Sequence, residues 1–374
     1  LKNFRNFESV YIPLNSKMNI VIGNNGSGKS SLLMGALTAA SAFFLGIDYA
    51  SPRSIKTDDV RHVAHEVKKV YQQVAVYPVE VSCEGVVNGV TCKWSRSLSG
   101  PKSNTTYGGA FDLRNIASSL QKSTSSEYSE DVLPLIAYYG TGRLWAQKQA
   151  KKKGKQKLRS RFEGYRDCIA EQATDKQLLE WFSETTLLVS QEGPIPQMTA
   201  VQQALERCFA DLIDHDETQR VKVEYRQRYR TVVVEYTNRS GEHELHPMYE
   251  MSDGYRSVLS MVADIAHRMA VLNPQLDDAI LETPGIIIID EVELHLHPGW
   301  RKRILKDLTS VFPNIQFIIS TYSPEVITSY KEANLILLKH EGSATQIESA
   351  YGKDVNTVFR SILLVRDRPT EIEE

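Results

Sequence analysis

Residues 23–30 read G-N-N-G-S-G-K-S, the pattern G-x-x-x-x-G-K-S, and the residues on either side of it decide what it means. The apolar run MNIVI at 18–22 precedes it and SLLMGALTAASAFFLG follows it, an order of strand, loop and buried helix. Glycines in such a loop let successive backbone N–H groups curl around phosphate oxygens, and the helix start adds positive potential. Lys29 is then placed to reach the β- and γ-phosphates of ATP, and the Ser30 hydroxyl to ligate Mg2+. Gly23, Asn24, Asn25, Gly26, Ser27, Gly28, Lys29, Ser30 and Ser31 together form the expected nucleotide site. A chain organised around this loop is expected to adopt an α/β fold with a largely parallel sheet.

Two more apolar runs support that expectation. GIIIID at 285–290 is β-branched throughout, as in a strand buried on both faces, and NIQFIIS at 314–320 repeats the pattern. The helix-like GWRKRILKDLTSVF lies between them, so strand, helix and strand imply a parallel crossover. Asp290 and Glu291 close the first run at the strand end where open α/β sheets bind ligands. Asp290 is expected to hold Mg2+, directly or through water, and Glu291 to act as the general base on an attacking water.

Between these landmarks the character changes. Residues 74–98 alternate as antiparallel strands do, with Asn88-Gly89 as a hairpin turn. Residues 99–130, rich in Ser, Gly, Thr and Asn, are expected to be loop, 167–213 carry the spacing of amphipathic helices, and 221–236 return to strand. The expected organisation is an N-terminal half of an ATPase core over 1–147, with an antiparallel β subdomain at about 70–112. A basic, helical insertion over 148–220 and a C-terminal half of the core over 221–374 complete it.

Lys and Arg number 44 against 46 Asp and Glu, so any nucleic-acid contact must come from a local patch. The run KQAKKKGKQKLRSR at 148–161 is such a patch, through Lys151, Lys152, Lys153, Lys155, Lys157, Arg159 and Arg161. It reads equally as a grip on nucleic acid or a partner and as a solvated loop. Arg226, Arg228 and Arg230 alternate with Tyr225 and Tyr229, either extending that surface or forming the polar face of a strand. His62 and His65 are expected on one helix face, and neither they nor His295 and His297 are assigned to a metal.

Four cysteines without C-x-x-C spacing suit a reducing cytoplasm, and Cys83 and Cys92 are placed to face each other across the hairpin, as a bridge or as small buried hydrophobes. No apolar run reaches membrane length and no leader pattern is present, so a cytoplasmic protein without a membrane partner is expected. The sequence opens on Leu, and its natural start is expected a few residues earlier.

Further motifs carry a family resemblance. MSDGYRS at 251–257 resembles the LSGGQ-type signature of ABC and SMC-like ATPases, and ELHLHPGW at 293–300 looks like their D-loop. FRNFESVYIPL at the start is similar to their N-terminal strand, in which Arg5 and Asn6 belong with the nucleotide. The resemblance implies an ABC/SMC-like P-loop core and a composite site. In it Ser252, Asp253 and Gly254 of one protomer close over the γ-phosphate held by another, making at least a nucleotide-bridged homo-oligomer. Without the family, SDG reads as a helix N-cap.

A finer resemblance is to PtuA-like ATPases of Septu and retron-associated anti-phage systems, through AYYGTGRLW at 137–145 and AYGKDVNTVFRSIL with a later RP near 350–369. That group implies an HNH nuclease partner of the PtuB kind and, in retron versions, a reverse transcriptase with its RNA–DNA product. One departure stands out: the family reads STHSP after the last core strand, and this sequence reads STYSP, with Tyr322 in place of the histidine that helps position water. The expected consequence is an ATPase by motif whose hydrolysis is weak, with ATP acting as a regulatory ligand. A DNA-repair or SMC-like motor is the alternative. The lack of a long heptad region counts against it, and a transporter subunit fits less well still.

Overall fold

The computed structural model describes residues 1–67, 70–124, 129–142, 160–170, 175–210, 221–339 and 342–362. They fall into two compact units. One gathers Leu1–Asp131, Ile288–Val292 and Gln316–Glu374, and the other Val132–Ile287 and Glu293–Ile315.

In the first unit the strand Met18–Ile22 is buried at every position. It lies parallel to Ile315–Thr321 on one side and to Asn334–Leu338 on the other. A strand with neighbours on both edges and layers on both faces requires an uninterrupted apolar run, which MNIVI supplies. Ala344–Ile347 continues the sheet antiparallel to Asn334–Leu338. The helix Lys29–Ala40 and the 3-10 turn Ser41–Gly46 bury Leu33, Leu37, Phe43 and Phe44 against this unit's interior. Each such side chain contributes about 1.5–3 kcal/mol. Lys29–Gly46 has the length and mean hydropathy, 1.2 over 18 residues, to cross a membrane, yet 78% of it is buried inside the protein. Its apolarity therefore serves the core.

A second sheet of this unit is antiparallel, in the order Phe7–Ser9, Lys2–Phe4, Val79–Val87, Val90–Leu98. Asn88 and Gly89 take φ of 50° and 75°, so the N-G pair forms the two-residue turn the sequence predicts. Cys83 pairs with Trp94 and Cys92 with Gly85, which offsets the two thiols, and both are free. The inward face of the edge strand presents Cys92, Trp94, Arg96 and Leu98, and Trp94 Nε1 donates to Ala39 O at 2.9 Å.

Two local expectations fail here. Residues 99–130 were expected to be loop, but Phe111–Thr124 is a helix that buries Leu113, Ala117, Leu120 and Thr124 at helical spacing. It packs so closely on the 3-10 turn that a Cβ on Gly46 would lie 2.4 Å from Arg114 O. His62 and His65 lie on the strand Arg61–Val67, where a separation of three puts them on opposite faces. Among the described residues no group of three or more His, Cys, Asp or Glu could hold a metal ion.

The second unit is built around the helix Asp253–Leu272, which buries Val258, Val262, Ile265, Ala266 and Met269 along one face. The helices Asp175–Glu192 and Pro196–Ala210 agree with the amphipathic spacing read at 167–213. Lys222–Arg226, Thr231–Thr237 and His243–Pro247 form an antiparallel sheet in which Arg226 pairs with Glu224 and Glu235. The strand Leu135–Tyr139 is tied to the long helix through Asp264, which accepts from Tyr139 Oη and from Arg268 Nε, each at 2.8 Å. Burial alone would push the Asp264 pKa up. The Arg268 charge and the two donors outweigh it and hold the carboxyl below its usual range.

Candidate functional site

In the first unit the phosphate loop connects Met18–Ile22 to Lys29–Ala40. Gly23, Gly26 and Gly28 have φ of 151°, 79° and 99°, backbone that L side chains rarely adopt. A Cβ on Gly23 would meet Ser27 Oγ at 2.6 Å and Leu338 O at 2.7 Å, whereas Gly26 has nothing within 4 Å. One glycine is thus needed for packing and another leaves the loop's crest open. Gly28, the left-handed N-cap, carries no side-chain cap, so the helix start lacks that satisfaction of its N–H groups.

Lys29 is buried and its Nζ donates to Gly23 O at 2.8 Å and Asn24 O at 3.1 Å, bending the ammonium over the loop. Ser27 Oγ is buried without a hydrogen-bond partner among the described residues. Asn25, Gly26 and Ser30 are exposed, and Ser31 is half-buried behind them. An ammonium, an unsatisfied hydroxyl and an uncapped helix start around a left-handed glycine loop fit a polyphosphate.

Asn6 supports the loop through Nδ2, which donates to Ser27 O at 3.2 Å. Arg5 is turned elsewhere. Its Nε meets Asp59 Oδ1 at 2.9 Å, and Arg53 Nη2 meets the same oxygen at 2.8 Å. Burial alone would push the Asp59 pKa up, but hydrogen bonds from Arg53, the Lys56 backbone and Arg5 outweigh it and hold the carboxyl below its usual range.

Asp290 and Glu291 follow Gly285–Ile289. Asp290 is buried and accepts from Ser320 Oγ at 2.5 Å, and the same hydroxyl oxygen accepts from the Glu291 backbone N–H at 2.8 Å. Val292 N–H reaches Ser320 O at 3.1 Å, so one residue at the end of the neighbouring strand grips three in a row. Glu291 has φ of 49°, a left-handed backbone that costs a non-glycine residue about 1–2 kcal/mol. The Ser320 bond holds it there. Asp290 and the Ser30 hydroxyl are hard oxygen donors of the kind Mg2+ takes. Tyr322, two residues past Ser320, is 45% exposed.

Ser320 was not singled out from the sequence, because its role depends on a partner 30 residues away. Ser320→Ala is expected to weaken Mg2+-dependent ATP binding about tenfold and leave binding without the metal unchanged. Titration with and without a chelator checks this, and an equal loss in both would reduce Ser320 to a strand prop.

In the second unit Ser252, Asp253 and Gly254 open the helix Asp253–Leu272, with Ser252 as N-cap and without a side-chain cap bond. Asp253 pairs with Arg256 one turn on. A Cβ on Gly254 would lie 2.5 Å from His295 O, so only glycine lets the helix start lie against the HLH segment, whose His295 has φ of 65°. The Tyr255 and Trp300 rings meet edge to face and secure the same contact. His297 Nδ1 accepts from Gly299 N–H, a capping role. Arg161 Nε donates to Leu272 O at 2.7 Å and its Nη2 to Asn273 Oδ1 at 3.1 Å, capping the far end of the same helix. Lys151, Lys152, Lys153, Lys155, Lys157 and Arg159 lie outside the described residues, as do Arg143, Leu144 and Trp145 of the YYGTGRLW segment.

Comparison with known proteins sets the whole chain among its relatives. A family model described as an AAA domain matches residues 1–213. The Retron Ec83 probable ATPase of Escherichia coli is 25% identical, with 99% of this chain and 76% of that protein covered. The Septu protein PtuA of Bacillus mycoides (strain KBAB4) is 31% identical over 38% of this chain and 18% of its own length. Among solved structures, the SMC head domain from Thermotoga maritima covers 93% of this chain and 96% of its own, at 13% identity and a TM-score of 0.47. The similarity to PtuA-like ATPases, read first from short motifs, thus extends over nearly the whole chain for the retron relative and over 38% of it for the Septu protein.

Proposed function

The chain belongs to the AAA domain family, and on that premise we propose that it is the ATP-binding regulatory subunit of a bacterial anti-phage defence complex. The observation that carries this reading is the gathering, within one unit, of the left-handed phosphate loop with Lys29 and of Asp290 with Glu291 under Ser320. The near full-length similarity to the Retron Ec83 probable ATPase supplies the biological setting.

Backbone N–H groups from Gly26 to Ser30 cradle the phosphates, and Lys29 leaves its loop carbonyls for the β/γ oxygens. Ser30 and Asp290 would hold Mg2+, which would neutralise phosphate charge. Glu291 orients a water and accepts its proton, while Tyr322 offers a phenol where a histidine would otherwise assist. Hydrolysis is therefore slow and bound ATP persists.

Ser252, Asp253 and Gly254 of a second protomer close over the γ-phosphate, so ATP bridges a homo-oligomer. That assembly scaffolds or restrains an HNH nuclease partner of the PtuB kind, together with a reverse transcriptase and its RNA–DNA product in a retron setting. The basic run from Lys151 to Arg159, at the start of the 148–220 insertion, engages partner or nucleic acid.

The test is purification of the full-length protein from its native operon, with mass measurement and identification of bound protein, nucleotide and nucleic acid. An ATP-dependent oligomer carrying a nuclease is expected. A monomer that retains neither nucleotide nor partner would overturn the proposal.

A further inference from the structure

Arg96 is a buried cation that the nucleotide site does not use. It lies on the inward face of Val90–Leu98 and is 0% exposed. Its Nε donates to Thr106 O at 2.8 Å, but neither Nη1 nor Nη2 has a hydrogen-bond partner among the described residues. Its guanidinium carbon lies 5.4 Å from the centroid of the Tyr107 ring. Burial pushes the guanidinium's pKa down, the signature of a charge stripped of water. A buried cation without an anionic partner is among the costlier arrangements a fold can hold.

The local backbone makes that cost larger. Residues 106–109 run beside the strand: Thr106 N–H donates to Ser97 O at 2.8 Å, and a Cβ on Gly109 would lie 2.7 Å from Ser95 O. The chain then enters the 3-10 turn Gly108–Ala110 and the 14-residue helix Phe111–Thr124. Tyr107 caps this start without any side-chain hydrogen bond. The positive end of a helix dipole and an unpaired guanidinium therefore share one corner, and each raises the cost of the other. Asp112 in the first turn acts on Cys92, four residues back along the strand, rather than on Arg96.

Two positive features facing one corner are both relieved by an anion. We propose that Arg96 and the helix start at Gly108–Phe111 form a second oxyanion site, sized for a single phosphate group, with the Tyr107 ring as its cover. Tyr107 is 55% exposed and is followed by Gly108, where a Cβ would meet nothing within 4 Å. The cover thus has solvent to swing into and a glycine beside it to absorb the turn. Once it moves, the Nη pair forks onto two phosphate oxygens, and the positive end of the helix favours the charge of the third. The site is independent of the Gly23–Ser30 loop and does not depend on the chain's handling of ATP.

The test uses the full chain carrying Lys29→Ala, so that the phosphate loop does not contribute. Melting temperature is followed against inorganic phosphate at constant ionic strength. A rise of about 2 °C is expected at ten times the midpoint concentration. Arg96→Met in the same background is expected to remove the rise and, having no buried charge, to melt higher in the absence of phosphate. Tyr107→Ala is expected to keep the rise at an equal or lower midpoint. If Arg96→Met does not fold, Arg96→Lys replaces the fork with a point charge and should raise the midpoint about tenfold. Adenosine monophosphate run alongside distinguishes a nucleotide phosphate from free phosphate, and either source supports the site. No phosphate dependence in the Lys29→Ala protein, or a dependence untouched by both Arg96 variants, overturns it.

Discussion

Lys29→Ala is expected to weaken ATP binding about 100-fold while the nucleotide-free protein melts within a few degrees of wild type. The two halves of this expectation come from the same contacts. The ammonium rests on Gly23 O and Asn24 O, neutral acceptors that polyphosphate oxygens outbid. Losing those two bonds costs the fold about 1–2 kcal/mol. Losing the charge-assisted bonds to phosphate costs binding more. Calorimetric titration with ATP, paired with a melt in its absence, measures both. An affinity unchanged by the substitution would mean that Lys29 stays with its carbonyls and that this loop does not receive the phosphates.

Tyr322→His is expected to raise ATP turnover at least tenfold, and adding Glu291→Gln to abolish the gain. General-base assistance is worth about 100- to 10,000-fold, and its size depends on how well the water is held. Imidazole can donate from one nitrogen and accept at the other near neutral pH, whereas a phenol is larger and never cationic. Tyr322 is partly exposed at the end of Ile315–Thr321, with Ser323 buried behind it, so the ring has room to be exchanged without disturbing the core. Phosphate release under multiple-turnover conditions is the readout. A wild-type rate in the ordinary enzyme range of about 1–1000 per second, lost on Glu291→Gln, would show that Tyr322 is no brake.

Sequence reading reached as far as contiguous residues carry the chemistry. The phosphate loop was legible because strand, glycines, lysine and helix follow one another without a gap, and Asp290–Glu291 because an unbroken apolar run ends on them. Phe111–Thr124 was missed because its buried stripe is made of Leu, Ala, Leu and Thr, too little apolar mass to stand out among serines. The histidine pair failed for a different reason: spacing of three marks a shared face only if the period is helical, and the segment is a strand. Arg5 was assigned by family position, and only the fold reveals that a buried Asp59 holds its guanidinium. Arg161 belonged by composition to the basic run, yet its bonds close the end of a helix more than 100 residues away in sequence. For Arg5 and Arg161 the partner lies far along the chain, beyond the reach of a local pattern.

Ser320 has one hydroxyl, and both Asp290 and the Glu291 backbone depend on its oxygen. Any cation that draws the Asp290 carboxylate toward itself must lengthen, shorten or reorient the Ser320 bond, and the strained peptide of Glu291 shares that atom. With Asp290 as the proposed cation ligand and Glu291 as the proposed base, cation arrival and base placement would be thermodynamically linked, and linkage is reciprocal. A partner that shifts Glu291 would change magnesium affinity by the same factor by which magnesium steadies Glu291. A chain working in the proposed way would report an event at its surface as a change in how tightly it holds magnesium, without breaking a phosphate bond.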